Sequence, residues 1–186
     1  MRRKLVLGAL ALALPFASLV TMGAGSATAH ANITGTGLVS CTKLTGTVTF
    51  KPPLKNATQT IVTTTKSTGT GCTSTGTKVT SFTSSSTGKP TATNCGNQTK
   101  PTAATFKIVY VPSTVAGSTF TGTATGGASS KGFAQFTLSG KVTGSFPSAK
   151  ATALAVTSTT LSAFVTACGK AGVSSLTITS GNTKNG

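Results

Sequence analysis

The segment Phe133–Phe146 constrains the fold more than any other. Phe136, Leu138, Gly140, Val142, Gly144 and Phe146 hold one parity, while Thr137, Ser139, Lys141, Thr143 and Ser145 hold the other. A period of two kept up over that length puts the two sets on opposite faces of an extended strand, whereas a helix would repeat every 3.6 residues. The apolar set therefore needs a second layer to cover it, and the hydroxyl set faces water.

Weaker versions of the pattern recur along the chain. Lys43–Phe50 aligns Leu44, Gly46, Val48 and Phe50, and Gln59–Thr68 is threonine-rich around Ile61 and Val62. Val79–Phe82, Thr105–Val111, Phe120–Thr125 and Val173–Thr179 add further short runs. Threonine supplies 41 residues, a β-branched type that resists helix and suits the solvated face of a strand. Gly, Ser and Pro clusters separate the runs at Pro52–Pro53, 69–71, 84–90, 126–132 and 169–172. Eight or nine strands at this spacing predict an all-β domain, an antiparallel β-sandwich of immunoglobulin-like or related Greek-key type. One such domain over 32–186 suits the length.

Two segments are less clear. Leu154, Val156, Leu161, Phe164 and Val165 fit either period, and the β-branched, Ser/Thr-rich content of Thr152–Cys168 favours strands. The stretch 63–97 carries few large apolar groups and reads as the most loop-like part of the domain, tied down by its two cysteines.

The four cysteines are Cys41, Cys72, Cys95 and Cys168. Their intervals contain no C-x-x-C pair, which argues against a zinc or iron–sulfur site, and no other cofactor is implied. An even number in an exported chain reads as two disulfides with three possible pairings. Cys41 with Cys72 and Cys95 with Cys168 is the preferred set, because it staples the start of the sheet and ties the middle to the C-terminal strands.

Export is expected from the amino end. Arg2, Arg3 and Lys4 precede the apolar stretch Leu5–Val20, and Ala27-Thr28-Ala29 and Ala29-His30-Ala31 offer small-x-small cleavage registers. Residues 1–29 read as a secretory signal peptide, cut after Ala29 or Ala31. The apolar stretch is shorter than the roughly 20 residues of a spanning helix, and no later segment is long enough to cross a membrane. The predicted location is extracellular or cell-wall associated.

Charge narrows the function. The chain has no Asp or Glu. Paired-carboxylate glycoside hydrolysis is closed to it, as is any catalysis that orients a histidine with an acid. The single histidine, His30, lies at the expected cleavage site. Ser130-Lys131 and Ser139 near Lys141 are formal Ser–Lys pairs, a design that needs a desolvated lysine. A lysine- and serine-rich chain yields such pairs by chance, and a non-catalytic role is expected.

Beyond the leader the charge comes from lysine alone, at Lys43, Lys51, Lys55, Lys66, Lys78, Lys89, Lys100, Lys107, Lys131, Lys141, Lys150, Lys170 and Lys184. The absence of arginine and the scarcity of stacking aromatics argue against sequence-specific nucleic-acid recognition. Dispersed lysines solubilise a surface, and they also attract polyanions. The expected function is a secreted or cell-surface structural or binding protein, a monomer that engages anionic wall polymers. Lys43, Lys51, Lys55, Lys66, Lys78, Lys89 and Lys100 are the candidate contacts. The alternative is a secreted cationic effector acting on anionic membranes or competing cells.

Val39-Ser40-Cys41, the run Leu44-Thr45-Gly46-Thr47-Val48-Thr49-Phe50-Lys51-Pro52-Pro53-Leu54, and Gly71-Cys72 resemble the opening of small exported β-rich proteins of uncharacterised role from high-GC Gram-positive, actinobacterial bacteria. The resemblance covers about 35 residues. It implies export, a β-sandwich and a Cys41–Cys72 bond, and it carries no activity.

Overall fold

Nine strands account for most of the described residues: β1 (Val39–Leu54), β2 (Gln59–Ser74), β3 (Ser81–Thr87), β4 (Thr91–Thr93), β5 (Thr102–Val111), β6 (Ser118–Ala128), β7 (Phe133–Gly144), β8 (Ser148–Thr160) and β9 (Val173–Asn185). A 3-10 helix, Cys95–Thr99, precedes β5, and an α-helix, α1 (Leu161–Cys168), precedes β9. The structure is a computed structural model and describes residues 33–186. The expected signal peptide, its cleavage registers and His30 lie outside the described residues.

The expected sandwich is replaced by a closed barrel. Neighbours run β1-β9-β8-β7-β6-β5-β3-β2, and β1 pairs with β2 as well as with β9, so the antiparallel sheet returns on itself. The short β4 is the one addition, paired to Gln59–Ile61 of β2. Sandwich and barrel share the same in-out alternation. They differ in whether the first and last strands meet, and no local pattern carries that information. Closure also hydrogen-bonds the sheet edges that a sandwich leaves open.

The wall closes tightly because small residues face inward where strands must curve. Gly122 on β6 lies opposite Gly140 on β7. A Cβ added at Gly122 would run into the Ser139 carbonyl oxygen, and one added at Gly140 would meet the Thr121 carbonyl oxygen. Side chains larger than hydrogen would force these strands apart. Above and below this waist the interior is filled by large groups, among them Phe50, Leu54, Ile61, Leu176 and Phe146, all buried.

The 63–97 region is not loop-like. β2 continues to Ser74, β3 pairs with it from Thr64 to Gly69, and β4 and the 3-10 helix occupy most of the remainder. Counting apolar residues misreads this stretch because small hydroxyl side chains take several interior positions. Ser67 is buried, and its Oγ lies 2.7 Å from Ser84 Oγ on β3, so each satisfies the other inside the wall. The Phe82 ring covers Gly69.

Thr152–Cys168 is divided. Its first part belongs to β8, and from Leu161 the chain is helical rather than extended. Thr160 caps α1, its Oγ1 accepting from the Ala163 N–H at 3.2 Å, and Gly169 follows the last turn. Leu161, Phe164, Val165 and Cys168 then recur at helical spacing and outweigh the β-branched content. Both expected disulfides are present, Cys41–Cys72 joining directly opposed residues of β1 and β2, and Cys95–Cys168 joining the 3-10 helix to α1.

Candidate functional site

Strand direction gives the barrel two ends with different construction. One end gathers the Ile33–Leu38 segment, the β2–β3, β5–β6 and β7–β8 turns, and the end of β9. The other gathers the β1–β2 turn, β4, the 3-10 helix, the β6–β7 turn and α1.

The first end is plugged. Phe146 is fully buried and meets the Tyr110 ring edge-on at a centroid distance of 4.9 Å, with Val79 and Val115 buried in the same core. The Ile33–Leu38 segment straps this plug in place. Phe146 N–H donates to Gly35 O at 2.7 Å, and Gly35 N–H donates to Ser145 Oγ at 2.9 Å. Asn185 Nδ2, at the end of β9, donates to Phe146 O at 2.9 Å. The Tyr110 hydroxyl donates to Ser118 Oγ at 3.1 Å, and Ser118 Oγ donates in turn to the Ser145 carbonyl. Burial raises the Tyr110 pKa above its ordinary value, and the Ser118 contact acts in the opposite direction.

The second end is a mouth. α1 buries Phe164 and Cys168 but leaves Leu161 and Val165 exposed, at 38% and 59% of their surface. The Cys95–Cys168 bond clasps α1 to the 3-10 helix. That helix rests on β6 at Gly126, where any Cβ would strike the Gln98 carbonyl oxygen. Asn94 caps it, its side-chain oxygen accepting from Asn97 N–H at 3.0 Å. A cavity of about 410 Å³ lies between these walls, lined by Phe136, Leu161, Phe164, Val165 and Asn56 together with residues of the 3-10 helix and the β6–β7 hairpin. A second cavity, about 100 Å³, lies farther down the barrel among Leu44, Phe82, Phe106, Phe120, Leu138 and Val142. On β7 the mouth takes Ala134 and Phe136, and the inner cavity takes Leu138 and Val142.

All thirteen lysines among the described residues are exposed. Of the seven candidate contacts, Lys51, Lys55, Lys89 and Lys100 lie toward the mouth, Lys43 and Lys66 on the wall, and Lys78 in the turn at the plugged end. They do not form one patch. Lys131 and Lys170 join the mouth group from turns that sequence order alone did not connect to it. On the wall, Lys66 pairs with Ser85 of β3, which pairs with Lys107 of β5. These two lysines are therefore separated by two strand spacings, about 10 Å.

The formal Ser–Lys pairs do not acquire the burial their chemistry requires. Ser130 and Lys131 are exposed in the β6–β7 turn, and Ser139 and Lys141 are exposed on the outer face of β7. Among the described residues no group of three or more His, Cys, Asp or Glu comes together to hold a metal ion. The mouth offers apolar surface instead, and sequence reading missed it. Its signal was the Leu161, Phe164, Val165 and Cys168 spacing between a threonine cap and Gly169. Compared with protein-family models, curated proteins and solved structures, the chain finds no match.

Proposed function

We propose that this chain is an exported, non-catalytic binding protein that holds anionic polymers at the cell surface through its lysines. The observation that carries the reading is that every lysine beyond the leader is exposed, in a chain with no Asp or Glu to pair with any of them. Such a field attracts phosphorylated or carboxylated polymers from any side, and most strongly toward the mouth, where Lys51, Lys55, Lys89, Lys100, Lys131 and Lys170 gather. Two disulfides favour an oxidising compartment. Among the described residues no helix is long and apolar enough to cross a membrane.

Salt dependence tests the proposal. Retention on an immobilised polyphosphate or teichoic-acid resin should fall steeply between about 50 and 500 mM salt, because each neutralised phosphate releases counterions. Retention that does not change over this range rejects it. Replacing the six mouth lysines by Gln should move elution to lower salt than replacing Lys43, Lys66, Lys78, Lys107, Lys141 and Lys150 together.

A further inference from the structure

We infer that the mouth is a binding site for a monomeric single-chain anionic amphiphile, with a fatty-acid carboxylate as its simplest form. The apolar half of the argument comes from the lining. The cavity of about 410 Å³ presents Phe136, Leu161, Phe164 and Val165, and no charged side chain lines it. Its size falls in the range of about 300–1,000 Å³ typical of small-molecule sites. Leu161 and Val165, on a two-turn helix, line the cavity and stay 38% and 59% exposed, so an alkyl chain laid against them removes apolar surface from water.

The anionic half comes from the rim. Lys55 precedes the lining residue Asn56, Lys100 follows the lining residue Thr99, Lys131 sits in the turn after the lining residue Ala128, and Lys170 lies two residues beyond Cys168. These lysines come from four separate segments, all are exposed, and no side-chain carboxylate opposes them. A negative headgroup at the opening meets only positive charge, and a cationic headgroup meets only repulsion. The walls are held in advance by the Cys95–Cys168 bond and by the contact of the 3-10 helix with Gly126, so binding requires little ordering of the protein. The site shares Lys55, Lys100, Lys131 and Lys170 with the proposed polymer surface, and its apolar lining is what sets it apart.

Isothermal titration with dodecanoate, kept below its critical micelle concentration, tests the assignment, with dodecanol and dodecyltrimethylammonium as matched-tail controls. Dodecanoate should bind one to one, at least about tenfold more tightly than either control. Val165→Asp puts a negative charge at an exposed position of the lining and should weaken dodecanoate about tenfold or more while leaving the melting curve unchanged. Replacing Lys55, Lys100, Lys131 and Lys170 by Gln should bring dodecanoate down to the affinity of dodecanol. Retention on a polyanion resin should persist in Val165→Asp, which separates failure here from failure of polymer binding. Equal binding of dodecanol and dodecanoate overturns the inference. So does unchanged affinity in a folded Val165→Asp, or binding to phosphatidylglycerol vesicles without binding of monomeric dodecanoate.

Discussion

The two ends of the barrel solve the same problem in opposite ways. At the plugged end an aromatic pair fills the opening, and the Ile33–Leu38 segment is stitched over it by backbone and Ser145 hydrogen bonds. At the mouth a short helix and a 3-10 turn stand over the opening, joined by a disulfide, and leave a cavity between them. An eight-stranded barrel is about wide enough for side chains to fill or for one small ligand to enter. Here one end takes the first course and the other leaves room for the second. The difference shows that one end is closed by side chains of the barrel itself, while the other leaves a cavity flanked by the exposed Leu161 and Val165.

Phe146→Ala should be the most damaging single change, because it empties the plug. A loss of about 3–5 kcal/mol is expected in urea unfolding, whereas Val165→Ser at the mouth should stay within about 0.5 kcal/mol. Similar losses for the two variants would erase the distinction between the ends. Replacing Cys95 and Cys168 by Ala opens a loop of 73 residues and should cost about 4 kcal/mol by the chain-entropy estimate. The Cys41–Cys72 pair closes 31 residues and links strands already in register, so its removal should cost less. The reverse order would show that the clasp at the mouth contributes little.

Tyr110→Phe is a finer probe of the plug. Losing the bond to Ser118 should cost about 1 kcal/mol near neutral pH. Because burial raises the folded-state pKa of Tyr110, its protonated form contributes stability that is intact below the unfolded value of about 10 and is lost as pH rises past it. The gap between parent and variant should therefore narrow in denaturant titrations carried from about pH 8 to pH 11. Parallel curves across that range would remove Tyr110 from the alkaline behaviour. The smallest effect is expected from acid. With no Asp or Glu side chain to protonate, the melting midpoint should move by less than about 10 °C between about pH 3 and pH 8, and added salt should raise it by screening the lysines.

Much of the wall was legible in the sequence because threonine and apolar residues alternate along it. Phe136 to Val142 and Leu44 to Phe50 sit in strands as their parity requires, and the preferred cysteine pairing matches the bonds that form. Closure was hidden, because contact between β1 and β9 joins residues more than a hundred positions apart and leaves no trace in either strand's alternation. The Ser67–Ser84 pair hid the extension of β2 beyond Thr68 and of β3 beyond Phe82 behind an apparent shortage of apolar groups. The mouth was hidden by composition. Thr, Val and Phe around α1 favour strands one residue at a time, and their spacing and caps decide otherwise.

The strap at the plugged end has one further consequence. Ile33, the first described residue, bonds into the β5–β6 turn, and Gly186 bonds to Lys150 at the start of β8, so the described residues begin and end at the sealed side. A tether, label or fusion partner attached after Gly186 would start from the end of the barrel opposite α1. A molecule anchored to a surface through Gly186 would hold its mouth toward the surrounding medium.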